Sequence, residues 1–155
     1  MTAHRVPFDW RQVQARQENG EWKLAAGGLV LAHFGNNDRE ARLALAAIRH
    51  YRFTEQWRIG GEEPVFTYYT ASGQAPLGVM LGITAQPFQP SQLSIQQVAG
   101  RYALCEGTKV VVRLGERPEE AKQLLETIQR NKYDRLCQVG KAEGKEGVTF
   151  LVRSR

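Results

Sequence analysis

Polar and apolar positions alternate along this chain in a pattern that is written twice. From Phe34 to Gly60 the sequence reads as a strand end, a glycine turn, a capped amphipathic helix and a further strand, and Leu114–Gly140 follows it without a gap. In the first helix Ala41, Ala44, Leu45 and Ile48 recur at helical spacing. In the second, Ala121, Leu124, Leu125 and Ile128 do the same. Asn37 stands three residues before Glu40, the spacing of a capping box, and Arg117-Pro118-Glu119-Glu120 puts proline and acids in a first turn. Arg49, His50 and Arg52 crowd one helix end, and Arg130 and Lys132 the other.

The correspondence reaches upstream at a constant shift of eighty residues, with Phe8, Gly20, Leu24, Gly35, Leu45 and Ile48 among thirteen identities. Each copy opens on an apolar anchor, Phe8 or Phe88, and a short strand near 11–17 or 91–97. A turn follows, Asn19-Gly20 or Ala99-Gly100, and Asn-Gly is a strong type I′ hairpin signal. The returning strand alternates Trp22 and Leu24, or Tyr102 and Leu104. A third strand covers 29–34 or 109–114, a fourth ends at Gly60 or Gly140, and a fifth lies at 65–69 or 148–152. In 109–114, Val110, Val112 and Leu114 are expected on one side, with Lys109, Val111 and Arg113 on the other.

The expected fold is therefore α+β: two tandem β-β-β-α-β-β units related by approximate twofold symmetry, with antiparallel sheets. Each unit buries the apolar side of its one helix under its own strands. The units span about 8–70 and 88–153 within a single domain covering 1–155. Between them 71–87 is uncharged, and its apolar run Leu77–Ile83 reads as a strand buried between the halves, with a ligand cleft at Gly78 and Gly82 as the other reading.

Composition adds modest bounds. The 155 residues are 42% hydrophobic and 24% charged, ordinary values for a globular chain. No apolar run is long enough to span a bilayer, and MTAHRVPFDW lacks the apolar core of a signal peptide; the compartment stays open, with the cytoplasm slightly favoured. The net charge is +5. Residues 8–70 balance to zero, 71–100 carry no charge, and 101–155 supply most of the excess. Cys105 and Cys137 occur in one copy only, and read either as two buried thiols or as one disulfide.

Chemistry is sparsely marked. No cysteine–histidine cluster has metal spacing, no phosphate loop or nucleophile elbow is present, and no cofactor or metal is expected. His33 and His50 correspond to Arg113 and Arg130, so positive charge is what those positions share. A non-catalytic binding module is favoured over an enzyme of unknown class. Four positions are basic in both copies: His33/Arg113, Arg42/Lys122, His50/Arg130 and Arg52/Lys132. Together with Arg39 and Arg49 they nominate a basic face, Arg39, Arg42, Arg49, Arg52, Arg113, Lys122, Arg130 and Lys132. An anionic macromolecule is the favoured ligand, single-stranded nucleic acid among the candidates, because cationic grooves with stacking aromatics bind single strands. A protein- or glycan-binding scaffold is the alternative. It rests on Trp57-Arg58 and the turn Gly60–Pro64, where the copies diverge most.

One short stretch has a known counterpart. Gln96-Gln97-Val98-Ala99-Gly100, followed by Tyr102 and Leu104, resembles the QxVxG hairpin of the cystatin protease inhibitors, which implies a wedge into the cleft of papain-like enzymes. The context departs from that family. Cystatins place a long helix shortly before the hairpin, whereas here the preceding helix ends more than forty residues upstream, and RQENG at Arg16–Gly20 lacks the motif.

Overall fold

The structure, a computed structural model, describes residues 3–60, 64–72, 75–140 and 147–155. β1 (Ala3–Pro7) leads through a 3₁₀ turn at Trp10–Gln12 into β2 (Val13–Glu18), β3 (Glu21–Ala26), β4 (Leu29–His33), α1 (Asp38–Tyr51), β5 (Glu55–Ile59) and β6 (Phe66–Thr70). β7 (Thr84–Pro87) then leads through a second 3₁₀ turn at Pro90–Gln92. It is followed by β8 (Leu93–Val98), β9 (Arg101–Glu106), β10 (Lys109–Arg113), α2 (Pro118–Asn131), β11 (Arg135–Val139) and β12 (Val148–Val152).

Local chemistry accounts for the joints. Asn19 and Gly20 take φ of 52° and 75°, as a two-residue hairpin between Glu18 and Glu21 requires. Ala99 and Gly100 do the same at 53° and 80°, so the alanine accepts a left-handed cost of about 1–2 kcal/mol. The Asn37 side chain accepts the Glu40 N–H at 3.0 Å and caps α1, while Arg117 offers α2 no side-chain cap. Both helices end on a left-handed residue, Arg52 or Lys132, whose N–H returns to the carbonyl of Ile48 or Ile128. Those two shared cations are thus helix terminators.

β2-β3-β4 and β8-β9-β10 form two small antiparallel sheets, and the remaining strands merge into one six-stranded sheet ordered β1-β5-β6-β12-β11-β7. Its pairings are antiparallel except at the central seam, where β6 meets β12 in parallel with Phe150 opposite Tyr69. Neighbouring residues on one strand point to opposite faces. Tyr69, Cys137, Val139, Phe150 and Val152 join the core that contains α1, while Trp57, Ile59, Phe66, Tyr68, Leu136 and Leu151 join the core that contains α2. The two helices therefore cover opposite faces of one shared sheet.

This corrects the expectation that each helix is buried under its own strands alone. α1 does pack on β2 and β3, but it also reaches β11, and most of the sheet side chains in its core come from β11 and β12. α2 lies on β8 and β9 and over Ile59, Phe66 and Tyr68 of β5 and β6.

The connector is a second correction. Leu77–Ile83 is not a buried strand: Gly78 and Gly82 at φ of 76° and 91° break the extended backbone, and Leu77 and Leu81 are 57% and 95% exposed. Only its end, Ile83, is buried, and the strand begins afterwards, as β7 on the free edge of β11. The opening residues form β1 against β5, and both edge strands finish on a proline, which an edge tolerates because no ladder donor is needed there. A bulge in β10 buries Val111 beside Val112, breaking the simple alternation expected there.

Candidate functional site

A groove of about 590 Å³ runs between α2 and the β5–β6 side of the central sheet. Its floor is Trp57, Ile59, Tyr68 and Thr70, the outward side chains of two paired strands. Its wall is the flank of α2 bearing Glu120, Gln123, Thr127, Arg130 and Asn131. The Trp57 and Tyr68 rings lie nearly parallel, 6.5 Å apart, and Tyr68 continues onto Phe66 at 5.7 Å. The Trp57 indole N–H donates to Thr70 Oγ1 at 2.9 Å, which fixes the ring at the rim. On the wall, the Asn131 amide donates to the Thr127 carbonyl at 2.9 Å, and the Thr127 hydroxyl donates to the Gln123 carbonyl at 2.9 Å.

Glu120 closes one end. It is buried, accepts the Gly60 N–H, and leaves Oε2 with no hydrogen-bond partner among the described residues. Burial pushes its carboxyl above the ordinary 4.5, against the lowering effect of the Gly60 bond and Arg117. A carboxylate raised on folding weakens the fold when ionised. Glu120→Gln keeps an acceptor for Gly60 without the charge, so it is expected to be more stable than the wild type at pH 7. That gain should shrink as pH falls towards 4.5, where the wild-type carboxyl becomes protonated, and urea unfolding at both pH values checks it.

The basic face nominated from sequence does not converge. Arg39, Arg42, Arg49 and Arg52 belong to the α1 side, Lys122, Arg130 and Lys132 to the α2 side, and Arg113 to β10. Several are committed locally. Arg49 donates to the Val13 carbonyl at 3.0 Å, and Arg42 pairs with Asp38 at 3.6 Å while lying over the Trp22 ring at 5.7 Å. Arg52 lies over Trp10 at 5.7 Å, and Arg58 donates to Gln56 Oε1 at 2.7 Å. Gln56 is itself buried, holding the Leu31 carbonyl at 2.8 Å. Arg39, Arg113, Lys122, Arg130 and Lys132 are exposed and enter no ion pair among the described residues. Of the eight cations only Arg130 lines the groove, where it joins Trp57.

His33 lies beside an acid. Its Nδ1 lies 2.7 Å from Glu21 Oε1, and that hydrogen bond holds the Glu21 carboxyl below its usual range. The turn beyond Gly60 that diverges between the copies includes Gly61–Glu63, which lie outside the described residues. Cys105 and Cys137 are both free and buried, and burial pushes the Cys137 thiol up to about 12. The cystatin-like stretch occupies the β8–β9 hairpin, with Val98 40% exposed at its tip and α2 following rather than preceding it.

Gln123, Thr127 and Asn131 were missed by the sequence reading. The signal was present, since they stand where α1 has Leu43, Ala47 and Tyr51, a helix flank turned from apolar to polar. Among the described residues no group of histidine, cysteine, aspartate and glutamate side chains could hold a metal ion, and no helix is long and apolar enough to cross a membrane. Comparison with protein-family models, with curated proteins and with solved structures finds no match.

Proposed function

We propose that the chain is a duplicated, non-catalytic binding module whose ligand lies in the groove between α2 and β5–β6. Its two β-β-β-α-β-β units, about 8–70 and 88–153, are related by approximate twofold symmetry. Support for the duplication comes from element starts at 13 and 93, 21 and 101, 29 and 109, 38 and 118, and 55 and 135. The observation that carries the functional reading is the contrast between the two helix flanks. The α1 flank is apolar and covered, whereas the α2 flank is polar and open over an aromatic floor. An aromatic floor with a few hydrogen-bonding groups on the wall is the usual composition of a ligand site.

The test is an NMR titration of the intact chain with three probes: a peptide, a neutral oligosaccharide and a single-stranded oligonucleotide. Saturable shifts of the Trp57 indole and the Asn131 amide by one of them are expected. Shifts confined to other regions, or none, contradict the site.

A single-stranded nucleic acid is the second reading, favoured by Arg130 beside Trp57 in the same groove. It predicts affinity that falls steeply with added salt and drops on Arg130→Glu, with a smaller loss on Arg42→Glu across the molecule. Salt-independent binding would remove it.

A further inference from the structure

The connector shows what a groove of this kind holds when it is filled. Leaving Ala75, the chain runs alongside the end of β12: the Pro76 carbonyl accepts the Arg153 N–H at 2.9 Å, and the Gly78 N–H donates to the Arg153 carbonyl at 2.8 Å. It then crosses the last turns of α1. The Tyr51 hydroxyl donates to the Gly78 carbonyl at 2.7 Å and accepts the Met80 N–H at 2.8 Å, so one side-chain group satisfies a carbonyl and an N–H two residues apart on a bent backbone. Met80 packs on the α1 core, Ile83 is buried in it, and Gly82 passes close enough to Leu43 that an added Cβ would lie 3.7 Å from Cδ1. An irregular, uncharged segment is thereby held by backbone hydrogen bonds and a few apolar contacts.

We propose that the groove beside α2 receives an irregular, uncharged segment of a partner polypeptide, held as Pro76–Ile83 is held beside α1. This rests on the duplicated-module reading above. Asn131 stands at the place of Tyr51 and lines the groove. Its carboxamide carries a donor and an acceptor, so it can give an N–H to one peptide carbonyl and take the N–H two residues on, the two roles of the tyrosine hydroxyl. One Nδ2 proton goes to the Thr127 carbonyl; the second proton and Oδ1 enter no hydrogen bond among the described residues. Where α1 has Leu43 and Ala47, α2 has Gln123 and Thr127, polar groups in place of apolar cover. Trp57 and Tyr68 of the floor and Leu124 of α2 supply the apolar contacts. Charge separates this occupant from a polyanion: Glu120 and Glu126 line the groove with Arg130 as the one cation, so a phosphate backbone would meet two carboxylates while a neutral backbone meets none of its own sign.

The probe is the acetylated and amidated synthetic peptide APLGVMLGIT, the sequence of residues 75–84, titrated into the isotopically labelled full chain. Saturable shifts of the Trp57 indole and the Asn131 side-chain amide are expected, with a dissociation constant on the order of 100 µM. Asn131→Leu should weaken binding at least fivefold, and Thr127→Trp, which fills the groove, should abolish it while the remaining spectrum keeps its dispersion. Peptide binding that survives both substitutions overturns the proposal. Oligonucleotide or oligosaccharide shifts at Trp57 and Asn131 without any from the peptide overturn the peptide class and leave the groove as the site. Shifts at the groove that grow with protein concentration alone assign it to a second copy and overturn the proposal. No shift there from any of the three probes overturns both the peptide class and the site.

Discussion

Replacing Phe150 with alanine is expected to cost about 3–5 kcal/mol, the range for a large aromatic removed from a closed core. Phe150 is fully buried on β12, with ring centroids 4.9 Å from Tyr51 and 5.1 Å from Phe53. Those two rings stack on each other at 5.3 Å, and Phe53 adjoins Tyr69 at 6.0 Å, so the deletion opens a cavity beneath α1. A domain of this size holds about 5–15 kcal/mol in total, and the loss would take up much of it. Denaturant unfolding measures it. A cost below about 1.5 kcal/mol would mean that β12 does not form the floor of the α1 core.

Cutting the chain in the connector is expected to have a larger effect still. Fragments 1–74 and 75–155 should each be largely unfolded alone, and equimolar mixing should restore native circular dichroism. The reason is the crossing of layers. Without β11 and β12, α1 loses Cys137, Val139, Val148, Phe150 and Val152, and without β5 and β6, α2 loses Ile59, Phe66 and Tyr68. Each fragment would also expose the seam edge of β6 or β12. A fragment 1–74 that folds independently, with a cooperative melt, would show that its helix needs only its own hairpin sheet.

Much of the fold was legible because it is local. Asn19-Gly20 marks a turn through its backbone chemistry, Asn37 marks a helix start by capping, and the stripe Ala41, Ala44 and Ile48 marks the buried side. What was not legible depends on non-local pairing. Nothing in the sequence of β6 or β12 says that they meet in parallel, so the joining of these strands into one six-stranded sheet was invisible. β1 and β7 are short edge strands ending on proline, with too few residues to show alternation. The run Leu77–Ile83 misled because hydrophobicity was read as burial. Two left-handed glycines turn it over the surface, and its leucines face outward.

The candidate groove was marked only in part by the sequence. Trp57 and Arg130 were singled out, one by divergence between copies and one by its charge, and both line the groove. The polar flank of α2 is marked in the sequence only by its contrast with α1, Gln123, Thr127 and Asn131 standing where α1 has Leu43, Ala47 and Tyr51. Basic residues on α1 and α2 suggest a single face in the sequence, but the two helices lie on opposite sides of the sheet.

Native-state hydrogen exchange over a denaturant series is the most direct test of the interlocked arrangement. The amides of α1 and of β11–β12 should share one opening free energy and one denaturant dependence, because unfolding either removes the other's cover. An α1 that opens together with β2–β6 while β8–β12 stays protected would show two independent halves and contradict the account.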